Sequence, residues 1–249
     1  MAGMLTLSRG GGWLRPPVDE TWARCQREGV LRVGMDASFP PFELEEDGTY
    51  RGYDVDLAQE IARRLSLRVE FVNVSFDGLY DALASKRCDV LISALPYEAG
   101  RTRDVSYTGG YFNAGQVVIT RQSDTSIGGY GDLGRRTVAV EMGSQAHQEA
   151  RRLRDQEQIS LTIQVAQSSD EALDMVQSGQ ADAAIADAVT ARSALRSRKG
   201  LAIRGDPFTD ESFVIAVRRD SPALFAAVNG ALIALRAEGW LEAAANRWL

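Results

Sequence analysis

Several polar residues stand just beyond short apolar runs, where strand ends deliver side chains to solvent. Asp36 follows "LRVGM". Ser93 closes "DVLIS" and leads through Ala94, Leu95 and Pro96 to Arg101. Glu141, Ser144 and Gln145 follow "TVAV", and Asp187 follows "DAAIA". A guanidinium offers a planar fork of donors that matches a carboxylate, and an aspartate takes an ammonium group. An arginine, several carboxylates, hydroxyls and the rings of Phe39 and Phe76 are together what a small zwitterion needs.

Covalent and metal chemistry are poorly supplied. The single histidine, His147, lies in "GSQAHQEA" with no nucleophile motif beside it, so a Ser-His-Asp triad is not indicated. Cys25, Cys88 and His147 are too few and too scattered for a zinc site, and no cofactor is expected. The two cysteines either pair, if the chain is exported, or remain free thiols. Gly129, Gly131 and Gly134 spell GxGxxG, but the run leads into a strand instead of opening a helix after one, so it reads as a turn.

Alternating strands and helices must position these groups. A helix over "DETWARCQREG" is stopped by Gly29, and a strand follows at 31–35. The stretch "DASFPPFELEEDGTYRGY" is too rich in proline and acid for either element. "DVDLAQEIARRL" (54–65) repeats Leu57, Ile61 and Leu65 behind Asp54 as an N-cap. A strand at 69–73, a helix at 76–85 and a strand at 89–93 complete the first half. The second half repeats this grammar. Its strands are at 116–120, 137–141, 161–166, 182–186 and 213–217. Its helices begin at Ser144, at the capping pair Ser168 and Glu171, at Asp187, and at Ser221–Pro222. Such alternation implies parallel sheets covered on both faces, and two sets imply two α/β lobes. In open parallel sheets ligands bind beyond the carboxyl ends of the strands, so the residues named first would share a site.

The bulk numbers agree. A chain of 249 residues, 45% hydrophobic and 25% charged, suits one or two globular domains. A net charge of -6 and the lack of any basic block argue against nucleic acid as a partner. No run approaches the roughly 18 apolar residues of a membrane span. Residues 1–18, with no uninterrupted apolar core, read as a flexible leader and not as a secretory signal.

The segments "LRVGMDASFPPFE", "GYDVDLAQEIARRL", "FDGLYDALASKRCDVLISAL", "VAVEMGSQ", "DAAIAD" and "ALRAEGWLEAAANRWL", with Arg101, resemble bacterial extracytoplasmic solute-binding proteins for amino acids, the partners of ABC importers. The resemblance covers roughly 29–249. It implies a type II periplasmic-binding-protein fold, with one lobe from 19–117 plus 212–249 and another from 121–207. Hinge segments would lie near 118–120 and 208–211. It further implies that Arg101 grips a ligand carboxylate and that Asp187 takes the α-ammonium, with Ser93 near that group. Ser144 and Gln145 would supply backbone donors, Phe39 and Phe76 would flank the ligand side chain, and Asp36 would meet its far end. A monomer outside the cytoplasm, delivering an amino acid to a membrane permease, is the corresponding expectation.

Three positions depart from that pattern. Pro96 stands where the family usually has serine or threonine, and it offers neither hydroxyl nor N–H. Ala94 removes another hydroxyl, and Glu141 brings a carboxylate to the cleft. Glu141 and Asp36 favour a cationic ligand, arginine or lysine. The alternatives are a cyclohexadienyl or arogenate dehydratase-like enzyme on the same fold, with Glu141 as general acid, or the sensing domain of a receptor. Singly, each residue has a plainer reading: Arg101 in a surface pair with Glu98 or Asp104, Asp187 and Ser144 as helix caps, Phe39 and Phe76 as core, Glu141 bonded to a neighbouring loop.

Overall fold

A computed structural model describes residues 19–249, so the expected leader lies outside the described residues. In chain order the first part holds α1 (Glu20–Glu28), β1 (Val30–Met35), β2 (Ser38–Phe39), β3 (Glu43–Glu46), β4 (Thr49–Arg51), α2 (Tyr53–Arg64), β5 (Arg68–Asn73), α3 (Leu79–Ala84), β6 (Val90–Leu91), β7 (Val105–Tyr107) and β8 (Phe112–Asn113). The second part holds β9 (Gln116–Arg121), β10 (Thr137–Glu141), α4 (Gln145–Asp155), β11 (Thr162–Ala166), α5 (Ser169–Ser178), β12 (Ala183–Asp187), α6 (Ala188–Ser197) and β13 (Leu201–Arg204). The chain then returns through β14 (Ser212–Phe213) to β15 (Ala216–Arg218), α7 (Pro222–Ala237) and α8 (Trp240–Trp248).

Two five-stranded sheets result, ordered β5-β1-β6-β15-β7 and β11-β10-β12-β9-β13. Each is mostly parallel, with a single reversed strand: β15 runs against β6 and β7, and β9 against β12 and β13. The reason lies in the chain path. Both reversed strands are those by which the chain enters a sheet from the other one. The remaining strands end at the junction, so a strand that starts there runs the opposite way.

The crossovers pair with each other. Phe213 opposes Phe112 and Ser212 opposes Asn113, and the Ala114 amide donates to the Glu211 carbonyl. Gly115 allows the closest approach: a β-carbon there would lie 2.0 Å from the Thr209 carbonyl oxygen. Residues 118–120, expected as a hinge, lie inside β9 and pair with β12. The paired connectors are centred instead on 112–115 and 209–213.

Local chemistry explains most elements. Asp19 caps α1 through the Trp22 amide, and Gly29 ends that helix at φ 67°. The same carboxylate accepts from Ala223 and Leu224, and so caps α7, whose Ser221 makes no side-chain cap bond. Asp54, expected as an N-cap, lies inside α2 and is fully buried; Gly52 takes the cap position. The proline- and acid-rich stretch after β1 is not a bare loop but a three-stranded sheet, β2-β3-β4. The expected strand at 213–217 divides into β14 and β15.

Alternation in the strands sorts the core. Val138, Val140, Ala183 and Ile185 pack under α4, with Ala146, Ala150 and Leu153. Leu91 and Ala216 pack against Leu79, Ala82 and Leu83 of α3. The opposite faces, including Val90, Ile92, Ala139 and Ala184, join one cluster that continues through Tyr111, Phe112 and Ala114 of the connector. No single helix among the described residues is long and apolar enough to cross a membrane. Cys25 and Cys88 are free and fully buried, and burial pushes both thiols up to about 12.

Candidate functional site

Beyond the carboxyl ends of β1 and β6 lies a cavity of about 420 Å³, walled by Phe39, Phe76, Pro96 and Phe213 and floored by Asp36, Glu43, Ser93 and Ala94. The rings are anchored from below. Phe39 stacks on Phe42 at 5.8 Å, and the fully buried Phe42 meets Tyr53, Phe112 and Phe213 edge-on. Phe39 and Phe76 remain 50% and 43% exposed, so they present faces to the cavity instead of filling the core.

A polar chain fixes the floor. The Asp36 carboxylate accepts from Ser38 Oγ at 2.6 Å and from the Phe76 amide at 2.8 Å. The Asp36 amide donates to Ser93 Oγ, which donates to Glu43 Oε1 at 2.7 Å. Ala94 adopts a left-handed backbone, φ 42°, which an alanine takes only under constraint. The constraint is visible: its amide donates to Asp54 Oδ2 at 2.6 Å, and Tyr111 Oη donates to the same oxygen at 2.8 Å. Burial, followed by the facing Asp54 carboxyl, drives Glu43 far above the ordinary carboxylate range. Burial also raises Asp54, against the hydrogen bonds that favour its charged form.

Of the expected site residues, the structure gathers Asp36, Phe39, Phe76, Ser93 and Ala94 around this cavity. Leu95 is not among them: it is fully buried with Leu79, Leu91 and Val105, and its carbonyl accepts from Val214. Arg101 takes the plainer reading. Its Nε donates to Glu98 at 3.1 Å, and its guanidinium lies 4.0 Å over the Tyr80 ring. The cavity that Arg101 lines, with Tyr80, Arg103, Asp104 and Arg218, contains neither Asp187 nor Ser93. The expected opposition of Arg101 and Asp187 across one shared gap is therefore not present here.

The second-lobe residues are likewise held locally. Asp187 caps α6 through the Thr190 amide at 2.8 Å. Ser144 caps α4 through His147 and donates to the Glu141 carbonyl. Glu141 accepts from Ser169 Oγ at 2.6 Å, and Gln145 donates to Glu211 of the connector at 2.6 Å. A second contact between the parts joins α6 to α8, where Arg192 meets Glu242 and Asn246.

Sequence reasoning missed Ser38, Glu43 and Phe213 as cavity residues. A glutamate held in the aromatic run "PPFE" was a usable signal for Glu43. Phe213 had none, because its place depends on the return connector pairing with β8.

Comparison with known proteins agrees with this architecture. Residues 31–249 match the family described as "Bacterial extracellular solute-binding proteins, family 3". The L-arginine-binding protein of Pseudomonas aeruginosa is 30% identical over 221 residues, 84% of this chain and 83% of that protein. The L-cystine-binding protein TcyJ of Escherichia coli is 25% identical, over 90% and 84% of the two chains. Among solved structures, an ancestral cyclohexadienyl dehydratase superposes with a TM-score of 0.82 at 25% identity, covering 94% of this chain and 98% of that one. With the family match spanning both sheets and both connectors, the chain belongs to the bacterial extracellular solute-binding proteins, family 3.

Proposed function

We propose that this protein captures an amino acid with a cationic side chain outside the cytoplasmic membrane and delivers it, as a monomer, to the permease of an ABC importer. The observation that carries the reading is the first-lobe cavity, where the Asp36 carboxylate stands beside the exposed faces of Phe39 and Phe76. A carboxylate next to two ring faces suits a guanidinium or ammonium group, by ion pairing and by cation–π attraction. The arginine-binding relative supports this choice, and the cystine-binding relative marks its nearest competitor.

In this reading Arg101 leaves Glu98 and Tyr80 to grip the ligand carboxylate while Asp187 approaches from the second lobe. The Arg101–Glu98 pair is half-exposed on both sides, and surface pairs of that kind contribute about 0.2–1 kcal/mol. A bidentate charge-assisted contact, about 1.5–3 kcal/mol, exceeds that cost. Pro96 supplies wall instead of a donor, so the carboxylate relies on Arg101 and on the amides at the start of α4.

A thermal-shift screen of the twenty amino acids, polyamines and small carboxylates tests the proposal. L-arginine or L-lysine at one hundred times its dissociation constant is expected to stabilise the protein by about 2.7 kcal/mol. Arg101→Ala is expected to abolish that shift; an undiminished shift would remove Arg101 from the site. The dehydratase superposition motivates one control, direct assay of prephenate and arogenate. Turnover that disappears in Glu141→Gln would replace the binding reading with an enzymatic one.

A further inference from the structure

We infer that Glu43 is a neutral acid at physiological pH, that it shares a proton with Asp54, and that this buried pair is the positioning element that sets the Ser93–Ala94 edge of the cavity. Glu43 is 1% exposed and Asp54 is fully buried, and neither enters a salt bridge among the described residues. Their hydrogen bonds to other groups all run in one direction. Glu43 Oε1 accepts from Ser93, and Asp54 Oδ2 accepts from both Ala94 and Tyr111. That leaves Glu43 Oε2 and Asp54 Oδ1, both buried and both without a partner, on two facing carboxyls that hold the adjacent residues Ser93 and Ala94. Two ionised carboxylates facing each other at that depth would repel with no paired cation among the described residues to offset them. One proton placed on Glu43 Oε2 and donated to Asp54 Oδ1 satisfies both oxygens at once.

The placement follows from the partners. Asp54 holds two donors on its other oxygen, which favours the charged form there, whereas Glu43 receives only the Ser93 hydroxyl. Of the remaining titratable groups facing the pair, Asp36 opposes a second negative charge on Glu43, whereas the Tyr111 hydroxyl donates to Asp54 and favours the charge there. The result is a continuous relay: Asp36 N–H to Ser93, Ser93 to Glu43, Glu43 to Asp54, with the Asp54 charge clamping the left-handed Ala94 amide. Only the statement that this edge binds ligand rests on the function proposed above; the shared proton does not.

Infrared spectroscopy decides the protonation. The wild-type protein at neutral pH is expected to show the carbonyl stretch of a protonated carboxylic acid, and Glu43→Gln is expected to lose it. No such band in the wild type, or a band that survives in Glu43→Gln, overturns the proposal. If Glu43→Gln does not fold, carbon-13 titration of glutamate carboxyls in the wild type decides the same question. One glutamate is expected to stay protonated through neutrality, and ionisation of every glutamate below pH 6 would overturn the proposal. Amide exchange at Ala94 tests positioning without any ligand: Glu43→Gln should keep its protection within about threefold, and Glu43→Ala should lose it at least tenfold. Equal protection in both variants would leave the pair no positioning role. L-arginine titrations then extend the test to binding, with Glu43→Ala expected to bind more weakly than Glu43→Gln. Failure of L-arginine to bind the wild type would count against the proposed ligand, while the spectroscopic and exchange results would still judge the proton pair.

Discussion

The two lobes share one strand order and differ in what stands at their strand ends. In the first, the ends of β1 and β6 open onto an aromatic-walled cavity with a buried acid pair beneath it. In the second, the ends of β10 and β12 carry Ser144 and Asp187, side chains already occupied as helix caps. One lobe therefore presents a built receptacle, and the other presents backbone and charge held ready by local bonds. The difference teaches that the same topology yields different surfaces depending on whether a polar side chain finds its partner within its own helix or across the sheet.

Phe42→Ala strikes the first lobe's side of that contrast. Four rings lose their common neighbour, and a fully buried phenylalanine removed from such a cluster costs about 3–5 kcal/mol. Urea unfolding measures it, and a loss below about 1 kcal/mol would mean the cavity wall is not supported as described. On the second lobe, Asp187→Asn separates capping from ligand contact, because asparagine caps as well as aspartate. Stability is expected to stay within about 0.5 kcal/mol, while affinity for L-arginine falls about tenfold to a hundredfold with the lost charge. Unchanged affinity in isothermal titration would reduce Asp187 to a cap and widen the contrast between the lobes.

The acid pair predicts the smallest effect per step, and its sign is fixed. Below the ordinary glutamate value of 4.5, folded and unfolded chains both carry the Glu43 proton, and its stabilising contribution is complete. Above that value the unfolded chain ionises while the folded one keeps its proton, so stability declines as pH rises until the folded group titrates. Glu43→Gln removes this decline. Its stability relative to the wild type should increase by up to about 1.4 kcal/mol per pH unit, read from unfolding curves between pH 5 and 8. Parallel profiles would contradict the shared proton.

Much of this was legible in the residues. Gly29 ending α1, the spacing of Leu57 and Ile61, and the Ser168 cap of α5 are local signals, and the structure carries each of them. The cavity residues Asp36, Ser93 and Ala94 were legible because they follow strands. Asp54 was misread because its position resembles a cap, while its partners, Ala94 and Tyr111, are far along the chain. Strands of two residues, such as β2 and β8, carry too little periodicity to declare themselves. The direction of Arg101 was equally hidden, since a long side chain leaving a turn goes wherever Tyr80 and Glu98 happen to stand.

Gly115 has a mechanical meaning. The two straps joining the lobes run antiparallel, side by side, and at Gly115 they leave no room for a side chain larger than hydrogen. Hydrogen bonds between the straps and the close contact at Gly115 make this the tightest-packed part of the connection. Any larger residue would be a wedge between the two straps, driven against the Thr209 backbone at a point outside the cavity walls.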